Sequence, residues 1–350
     1  MTPGGTFFPA GRRGTVCVRT ATNYKRMNGL GKESVRQVEI GDAAAGQRID
    51  NFLARILKGV PKSHLYRILR SGEVRVNGRR VGPDARLVLG DTVRIPPVRT
   101  ATPQSGATAS PRPAQALPIV FEDEAVLAVD KPAGLAVHGG SGIAHGLIES
   151  LRAARPAARF LELVHRLDRD TSGLLLVAKT RPALTALHAA LRDGEVDKRY
   201  LVLVRGRWRD EKRVVRLALH KFATREGERR VRVDDAMGRE AVTTFHRQRI
   251  FRDHEPPLAL LEAELGTGRT HQIRVHLAHL GFPLAGDDKY GDFAWNKALA
   301  KEGLARMFLH AWKLRFRHPS TGATVALEAP LPADLAAFLR ALEAGEPARA

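Results

Sequence analysis

Leu163 to Lys179 reads LVHRLDRDTSGLLLVAK, and the fold and chemistry of the chain turn on this stretch. Asp168 and Asp170 sit among His165, Arg166 and Arg169, and Thr171, Ser172 and Gly173 follow as turn-forming residues. Leu174 to Ala178 is then a run of five apolar residues. So short a run reads as a buried strand, although periodicity alone does not separate it from a helix. A carboxylate held between arginines at the mouth of a buried strand is pulled two ways, because neighbouring cations favour the charged form and burial disfavours it. Catalytic carboxylates and structural ion pairs share this pattern, and spacing alone leaves both open.

Composition narrows the field of partners. The chain has 350 residues, enough for two domains, with 57 Lys plus Arg against 37 Asp plus Glu and a net charge of +20. A sequence pI near 10.9 points to a polyanionic partner. The hydrophobic share of 43% supports a packed core. Cys17 is the only cysteine, which excludes an internal disulfide and a Cys-rich zinc site. No apolar run approaches the roughly 20 residues of a membrane-spanning helix, and no signal-peptide core is visible. A cytoplasmic protein with no membrane partner is expected.

Outward from the central stretch, residues 1–35 read as a disordered basic arm, and Met27 offers a second candidate start. Ile49, Phe52, Leu53 and Ile56 mark one face of a helix. Pro61 opens a second helix as its first residue, Leu65, Ile68 and Leu69 form its apolar face, and Gly72 ends it. Val74, Val76 and Val81 flank Asn77-Gly78, a hairpin turn. The unit 46–99 carries 12 Lys or Arg against four acids, a net of +8. Its second helix presents Lys62, His64, Arg67 and Arg70 away from the apolar face, and Arg75, Arg79 and Arg80 lie around the hairpin. Such a face supplies phosphate contacts, hence affinity and register rather than sequence choice. Residues 100–116, TATPQSGATASPRPAQA, form a flexible Pro-containing linker.

The second domain spans 117–342. Ile119 to Phe121 and Ala125 to Val129 read as strands, followed by a turn at Asp130 to Gly134 and a glycine-rich loop from Val137 to Gly142. That loop lacks the Gly-Lys-Ser/Thr ending of a nucleotide-binding loop. Pro182 starts a helix with Leu184, Leu187 and Leu191 inward, and Lys198 to Val204 is a second buried strand beginning near Tyr200. Leu258 to Leu265 is a further strand. Thr270 is the expected N-cap of a helix with Ile273, Leu277 and Leu280 inward and Gly281 as its stop. His271, His276 and His279 do not form a metal site, since only His276 and His279 share a face and no carboxylate joins them. Ala333 to Leu342 is a closing amphipathic helix.

The word HRLDRDTSGLLL, together with VDKPAG, VHGGSG, KRY, GRTHQIRVH, GDDKYGD and FLHA, resembles the pseudouridine synthase family that modifies ribosomal RNA. The module with RIDNFL and GEVRVNG resembles the S4 RNA-binding domain. The resemblance implies an α+β protein: a mixed, mainly antiparallel sheet catalytic domain preceded by a small S4-like RNA-binding domain. It implies an isomerase that converts uridine to pseudouridine in 23S ribosomal RNA, acts as a monomer and needs no cofactor or metal. Residue by residue, it implies Asp168 as the catalytic carboxylate, Tyr200 as the ring over the reacting base, Arg269 as the partner of Asp168, and Arg166 as the side chain that fills the gap left by a flipped base. Asp168-Arg169-Asp170-Thr171 also fits the nucleophile loop of haloacid-dehalogenase-type phosphatases, but there the apolar strand precedes the first Asp, whereas here it follows. Two rivals remain at this level: a ribosome assembly factor that binds rRNA without catalysis, and a hydrolase using Asp168 and Asp170.

Overall fold

The computed structural model describes residues 35–41, 44–57, 59–98, 117–139, 146–224 and 228–345. The arm before residue 35, the linker 100–116 and the tip of the glycine-rich loop lie outside the described residues. The chain divides into two compact units, one built on Gly46–Pro103 with the strand that precedes it, the other on Gln104–Ala350.

The first unit holds β1 (Arg36–Glu39), α1 (Ile49–Ile56), α2 (Lys62–Arg70), β2 (Arg75–Val76) and β3 (Thr92–Ile95). The strands pair antiparallel in the order β1-β3-β2. Ile49, Phe52 and Leu53 of α1 and Leu65, Ile68 and Leu69 of α2 are buried, as their helical spacing requires. Pro61 is the N-cap of α2 rather than its first residue, a one-position difference at a helix end. The hairpin departs further from expectation. Asn77 and Gly78 do take positive φ, and Val76 and Arg79 exchange backbone bonds across them. The return strand through Val81 is absent, however, and β2 pairs with β3 instead. Gly82 and Pro83 follow Val81 at once, and a proline N cannot join a ladder. The Asn77 side chain fastens the turn to the β3 side by bonds to Asp91 (2.7 Å) and to the Thr92 amide (2.8 Å).

The second unit opens with β4 (Ile119–Glu122), β5 (Val126–Lys131), α3 (Leu147–Ala154), β6 (Glu162–Leu163), β7 (Ser172–Ala178) and α4 (Arg181–Asp193). There follow β8 (Asp197–Arg205), β9 (Lys212–Ala223), β10 (Arg229–Val233), β11 (Arg239–Phe251), β12 (Leu258–Leu265) and α5 (Gln272–His279). The unit closes with α6 (Phe293–Lys301), β13 (Leu309–Arg317), β14 (Thr324–Glu328) and α7 (Ala333–Ala344). One sheet runs β10-β9-β11-β12-β8-β13-β7-β5-β4, with β14 on β13 and β6 on β7. Only the β7–β13 pairing is parallel among the described residues, so the expected mixed, mainly antiparallel sheet is what forms.

The run Leu174–Ala178 is buried on both sides, which explains its lack of alternation. Leu175 and Val177 pack into one cluster with Leu147, Ile148 and Leu151 of α3 and Ile273 and Leu277 of α5. Leu174, Leu176 and Ala178 pack on the other face against Ala183, Leu184 and Leu187 of α4. Each large aliphatic side chain contributes about 1.5–3 kcal/mol on full burial. Helix α4 begins one residue before Pro182, where the Thr180 hydroxyl caps the Ala183 amide, and it ends at Gly194 in the left-handed conformation.

Gly173 is the position on which the sheet centre depends. It sits at the parallel pairing with Ala311, at φ +108°, and a Cβ there would lie 2.2 Å from the Ala311 carbonyl oxygen. Gly173→Ala therefore adds a strained backbone and a steric clash, each of about 1–3 kcal/mol. A fall in unfolding free energy of that order is expected from chemical denaturation, and an unchanged midpoint would show that β7 and β13 can separate freely.

Candidate active site

The loop leading into β7 carries Asp168, and several independent bonds hold it still. The Asp168 carbonyl accepts from the Thr171 amide at 3.3 Å. Lys131, fully buried at the end of β5, donates its three hydrogens to the carbonyls of Pro132 (2.9 Å), Leu135 (2.8 Å) and Arg169 (2.9 Å). Burial pushes the Lys131 ammonium down to about 8, against the charges of Asp170 and Asp168. Ser172 is clamped from β13 and the segment before it: its hydroxyl lies 2.9 Å from His310 Nδ1 and accepts from Arg306 at 2.7 Å, while His310 Nε2 meets the Ala329 carbonyl at 3.1 Å. Burial holds the His310 imidazole down to about 4, so the ring is neutral. Its Nε2 then donates to Ala329 and its Nδ1 accepts from Ser172, which leaves the Ser172 oxygen free to accept from Arg306.

Asp168 faces a cation from α5. Arg274 Nη1 donates to Asp168 Oδ2 at 3.2 Å. The same guanidinium makes a two-point pair with Asp287, Nε to Oδ2 at 2.7 Å and Nη2 to Oδ1 at 2.6 Å, and Nη2 also reaches Asp288 at 3.3 Å. The side chains of Arg274 and Asp287 are 4% and 1% exposed, whereas that of Asp168 is 25% exposed. Three carboxylates thus share one arginine; buried Asp287 fixes it, while Asp168 and Asp288 are open to solvent. Burial works against both buried charges. For Arg274 the hydrogen bond and charge of Asp287 outweigh it. For Asp287 the Arg274 bond and the amides of Lys289 and Tyr290 do so, leaving the carboxyl below its usual range.

This corrects the sequence expectation for the partner of Asp168. Arg269 is exposed, and its Nε donates to the Glu240 carbonyl at 3.2 Å. The physical reason is the start of α5. The Gln272 side chain takes the Arg269 amide (3.0 Å) and the Thr267 hydroxyl (2.7 Å), folding the residues before the helix into a turn that carries Arg269 to the rim. Thr270 does not cap the helix; His271 stands at the N-cap at φ +54° with no side-chain cap bond. Its Nε2 lies 3.8 Å from Asp168 Oδ1, and its Nδ1 is 2.8 Å from the Tyr290 hydroxyl.

Tyr200, on β8, is buried opposite Ala263 and Ala311 on the neighbouring strands. Burial first, and the Asp168 charge second, push its phenol above the usual value, so the two side chains share one electrostatic environment and Tyr200 is protonated at neutral pH. Arg166 projects into solvent two positions before Asp168 and makes no ion pair among the described residues. Among those residues no group of three or more His, Cys, Asp or Glu is placed to hold a metal ion, and no helix is long and apolar enough to cross a membrane.

In the first unit, Lys62, Arg67, Arg70, Arg75, Arg79 and Arg80 are exposed and His64 is half-buried. Arg67 lies 3.3 Å from His64, and Arg70 and Arg75 donate to backbone carbonyls. None of these cations has a carboxylate partner among the described residues, in contrast to Arg48, which is paired with Asp50 at 2.8 Å.

Known proteins divide in the same way. Residues 47–93 match the S4 domain, and residues 125–279 match RNA pseudouridylate synthase. Those two matches, on a mixed, mainly antiparallel sheet preceded by an S4 domain, define an isomerase of the pseudouridine synthase class. The chain is 48% identical to ribosomal large subunit pseudouridine synthase C of Pasteurella multocida over 91% of this chain and 98% of that protein. It is 50% identical to the Escherichia coli protein of the same name over 88% of this chain and 97% of that protein. The solved structure of human RNA Pseudouridylate Synthase Domain Containing 1 superposes with a TM-score of 0.52 at 25% identity, covering 67% of this chain and 97% of that chain. The chain belongs to the RNA pseudouridylate synthase family.

The shared arginine makes a test of stability possible. Arg274→Met strands the buried Asp287 charge and should cost about 3–5 kcal/mol, whereas Arg274→Met/Asp287→Leu should lie within about 2 kcal/mol of the wild type or above it. Because the Asp287 carboxyl is lowered on folding, its contribution is complete above the unfolded value of about 3.9 and is lost as pH falls through the folded value. Urea unfolding as a function of pH should show this acid-side loss in the wild type and a smaller one in the double variant. Equal acid slopes would show that Asp287 carries none of it.

Proposed function

We propose that the protein converts uridine to pseudouridine in 23S ribosomal RNA, with Asp168 as the catalytic carboxylate. The observation that carries this reading is Asp168 itself: an accessible carboxylate on an immobilised loop, with one oxygen held by Arg274 and the Tyr200 phenol in its field. The large-subunit substrate follows from the names of relatives about half identical to this chain over nearly their whole length. The enzyme works in the cytoplasm as a monomer and uses no cofactor.

The reaction is an isomerisation. The N1–C1′ bond breaks, the uracil turns while held, C5 bonds to C1′, and the proton displaced from C5 is balanced by one gained at N1. A base inside an RNA helix must first leave its stack, at a cost of a few kcal/mol, and Arg166 fills the space it vacates. Asp168 serves either as nucleophile at C1′ or as the base for a sugar proton, roles that use the carboxylate whose Oδ2 Arg274 holds. Tyr200 stacks on the uracil, and since its hydroxyl keeps its proton it acts as a donor rather than as the abstracting base. Arg269, at the rim, contacts RNA rather than Asp168.

Residues 46–99 supply affinity and placement through the uncompensated cations Lys62, Arg67, Arg70, Arg75, Arg79 and Arg80, with His64 beside them; residues 117–342 supply the chemistry. The direct test maps pseudouridines in 23S rRNA by carbodiimide-dependent reverse-transcription stops. Cells lacking the gene should lose specific stops, the wild-type gene should restore them, and Asp168→Asn should not. Stops unchanged by deletion would leave an rRNA-binding assembly factor as the better reading, and restoration by Asp168→Asn would move catalysis elsewhere.

The division of labour has its own signature. Neutralising Arg67, Arg70 and Arg75 together as glutamines should weaken RNA binding and reduce the slope of log affinity against log salt by about 2–3, roughly 0.7–0.9 for each phosphate no longer neutralised. The single-turnover rate at saturating RNA should stay unchanged. An unaltered salt slope would mean that this basic face is only solvated.

A further inference from the structure

We propose that His271 is a positioning residue for Asp168, held by Tyr290 as the tautomer whose Nε2–H faces the carboxylate, and that it leaves Oδ1 as the reacting oxygen while Arg274 anchors Oδ2. This inference rests on Asp168 being the reacting carboxylate.

Three observations support it. The first is hydrogen-bond arithmetic at Tyr290. Its hydroxyl accepts from the Val231 amide at 2.9 Å and has one hydrogen left to give. His271 Nδ1 lies 2.8 Å away, placed to accept this hydrogen, and in the proposed tautomer it does so. Nδ1 is then unprotonated, and the single proton of a neutral imidazole sits on Nε2. The second is the backbone. His271 adopts φ +54°, and it and Asn77 are the two non-glycine residues with positive φ among those described. A side chain other than glycine in that region signals a position whose geometry is imposed by its surroundings, as happens at functional sites. Here the left-handed turn swings the ring away from the helix cap position it would otherwise serve and aims Nε2 at Asp168 Oδ1, 3.8 Å distant.

The third is the packing of charge around the ring. Asp168 approaches from the loop before β7, Arg274 from α5, and Asp287, Lys289 and Tyr290 from the segment after α5. Burial lowers the imidazole pKa first; Asp168 and Asp287 oppose this, Arg274 and Lys289 reinforce it, and the net direction is down. A neutral ring follows at neutral pH. The Tyr290 ring packs edge-on to His271, with centroids 5.5 Å apart, and the Arg274 guanidinium lies 5.2 Å from the Tyr290 centroid. Both donors that face Asp168 are thus braced by the same tyrosine. The gap of 3.8 Å exceeds a hydrogen bond, so in the free enzyme Oδ1 is faced but not bound by the ring. Of the two oxygens it is the one available to substrate.

The test combines a spectrum with a rate. In protein labelled with 15N at histidine, the His271 ring should show an unprotonated Nδ1 and a protonated Nε2. Asp168→Asn and Tyr290→Phe each alter one neighbour of the ring and so assign its signals, and Tyr290→Phe should produce a mixture of tautomers. His271→Asn is compatible with the left-handed backbone but too short to reach Asp168. With an unmodified 23S rRNA transcript, its single-turnover rate should fall about 10–100-fold, the scale of a misplaced reacting group, with RNA affinity within a few-fold of the wild type. Tyr290→Phe should lower the rate in the same direction. A wild-type rate for His271→Asn beside an inactive Asp168→Asn would overturn this proposal alone, as would a proton found on Nδ1 in the wild-type enzyme. The spectrum decides the matter even if the His271 variant does not fold. Wild-type turnover by Asp168→Asn would instead overturn the underlying assignment of the carboxylate.

Discussion

A guanidinium with almost no solvent contact cannot persist without partners, because stripping its water costs several kcal/mol that only nearby carboxylates offset. Arg274 is such a group, and the structure around Asp168 follows from how its donors are shared. Asp287 takes Nε and Nη2 in a fork that fixes the plane of the guanidinium. Nη1 is then left pointing at Asp168. Asp168 receives a cation whose orientation is settled elsewhere, so in the proposed reaction it need not reorganise its partner, which is the sense in which preorganised charge assists catalysis. Asp287 in turn is held by the amides of Lys289 and Tyr290, which ties the pair to the backbone.

The other half of the arrangement is the loop that presents Asp168. Its neighbours are tied to two different strands: the Arg169 carbonyl to Lys131 at the end of β5, and Ser172 and Gly173 to His310 and Ala311 of β13, at the parallel pairing in the sheet. The polar ties use groups that would be costly to bury unpaired. Lys131 spends its three donors on carbonyls, and His310 stays neutral so that one nitrogen accepts and the other donates. A site placed at the seam between antiparallel halves gains its rigidity from pairing on both sides rather than from the loop itself.

Much of this is legible in the sequence, for physical reasons. The five apolar residues after Gly173 suit a strand covered on both faces, and the helical spacing in α1 and α2 leaves one way to bury Phe52, Leu53, Ile68 and Leu69. Asp168 stands out because its surrounding word is long and specific. The choice of Arg269 over Arg274 fails because a resemblance names a motif more reliably than the atom within it. A signal is present: Arg274 lies between Ile273 and Val275 on a helix buried nearly all round, and a charge in such a place demands a carboxylate, which Asp287 supplies from the next word, GDDKYGD. The histidine spacing around α5 speaks only to metal binding, and no sequence rule foretells a left-handed His271 at a helix start. The return strand at Val81 fails through Pro83, whose missing amide is visible in the sequence and outweighs the alternation before it.

Arg274, and not Arg269, is the cation that stands beside Asp168, and in the proposed reaction it is the one that holds the carboxylate. Single-turnover rates at saturating 23S rRNA transcript, compared between Arg269→Gln and the charge-balanced Arg274→Gln/Asp287→Asn, test this most directly, with RNA affinity and the unfolding midpoint measured alongside. The rate should stay within a few-fold of the wild type for Arg269→Gln and fall by about 100-fold or more for the double variant, the scale seen when a preorganised donor is removed. A double variant that folds, binds RNA and reacts at the wild-type rate, with Arg269→Gln inactive, would contradict the central role of Arg274.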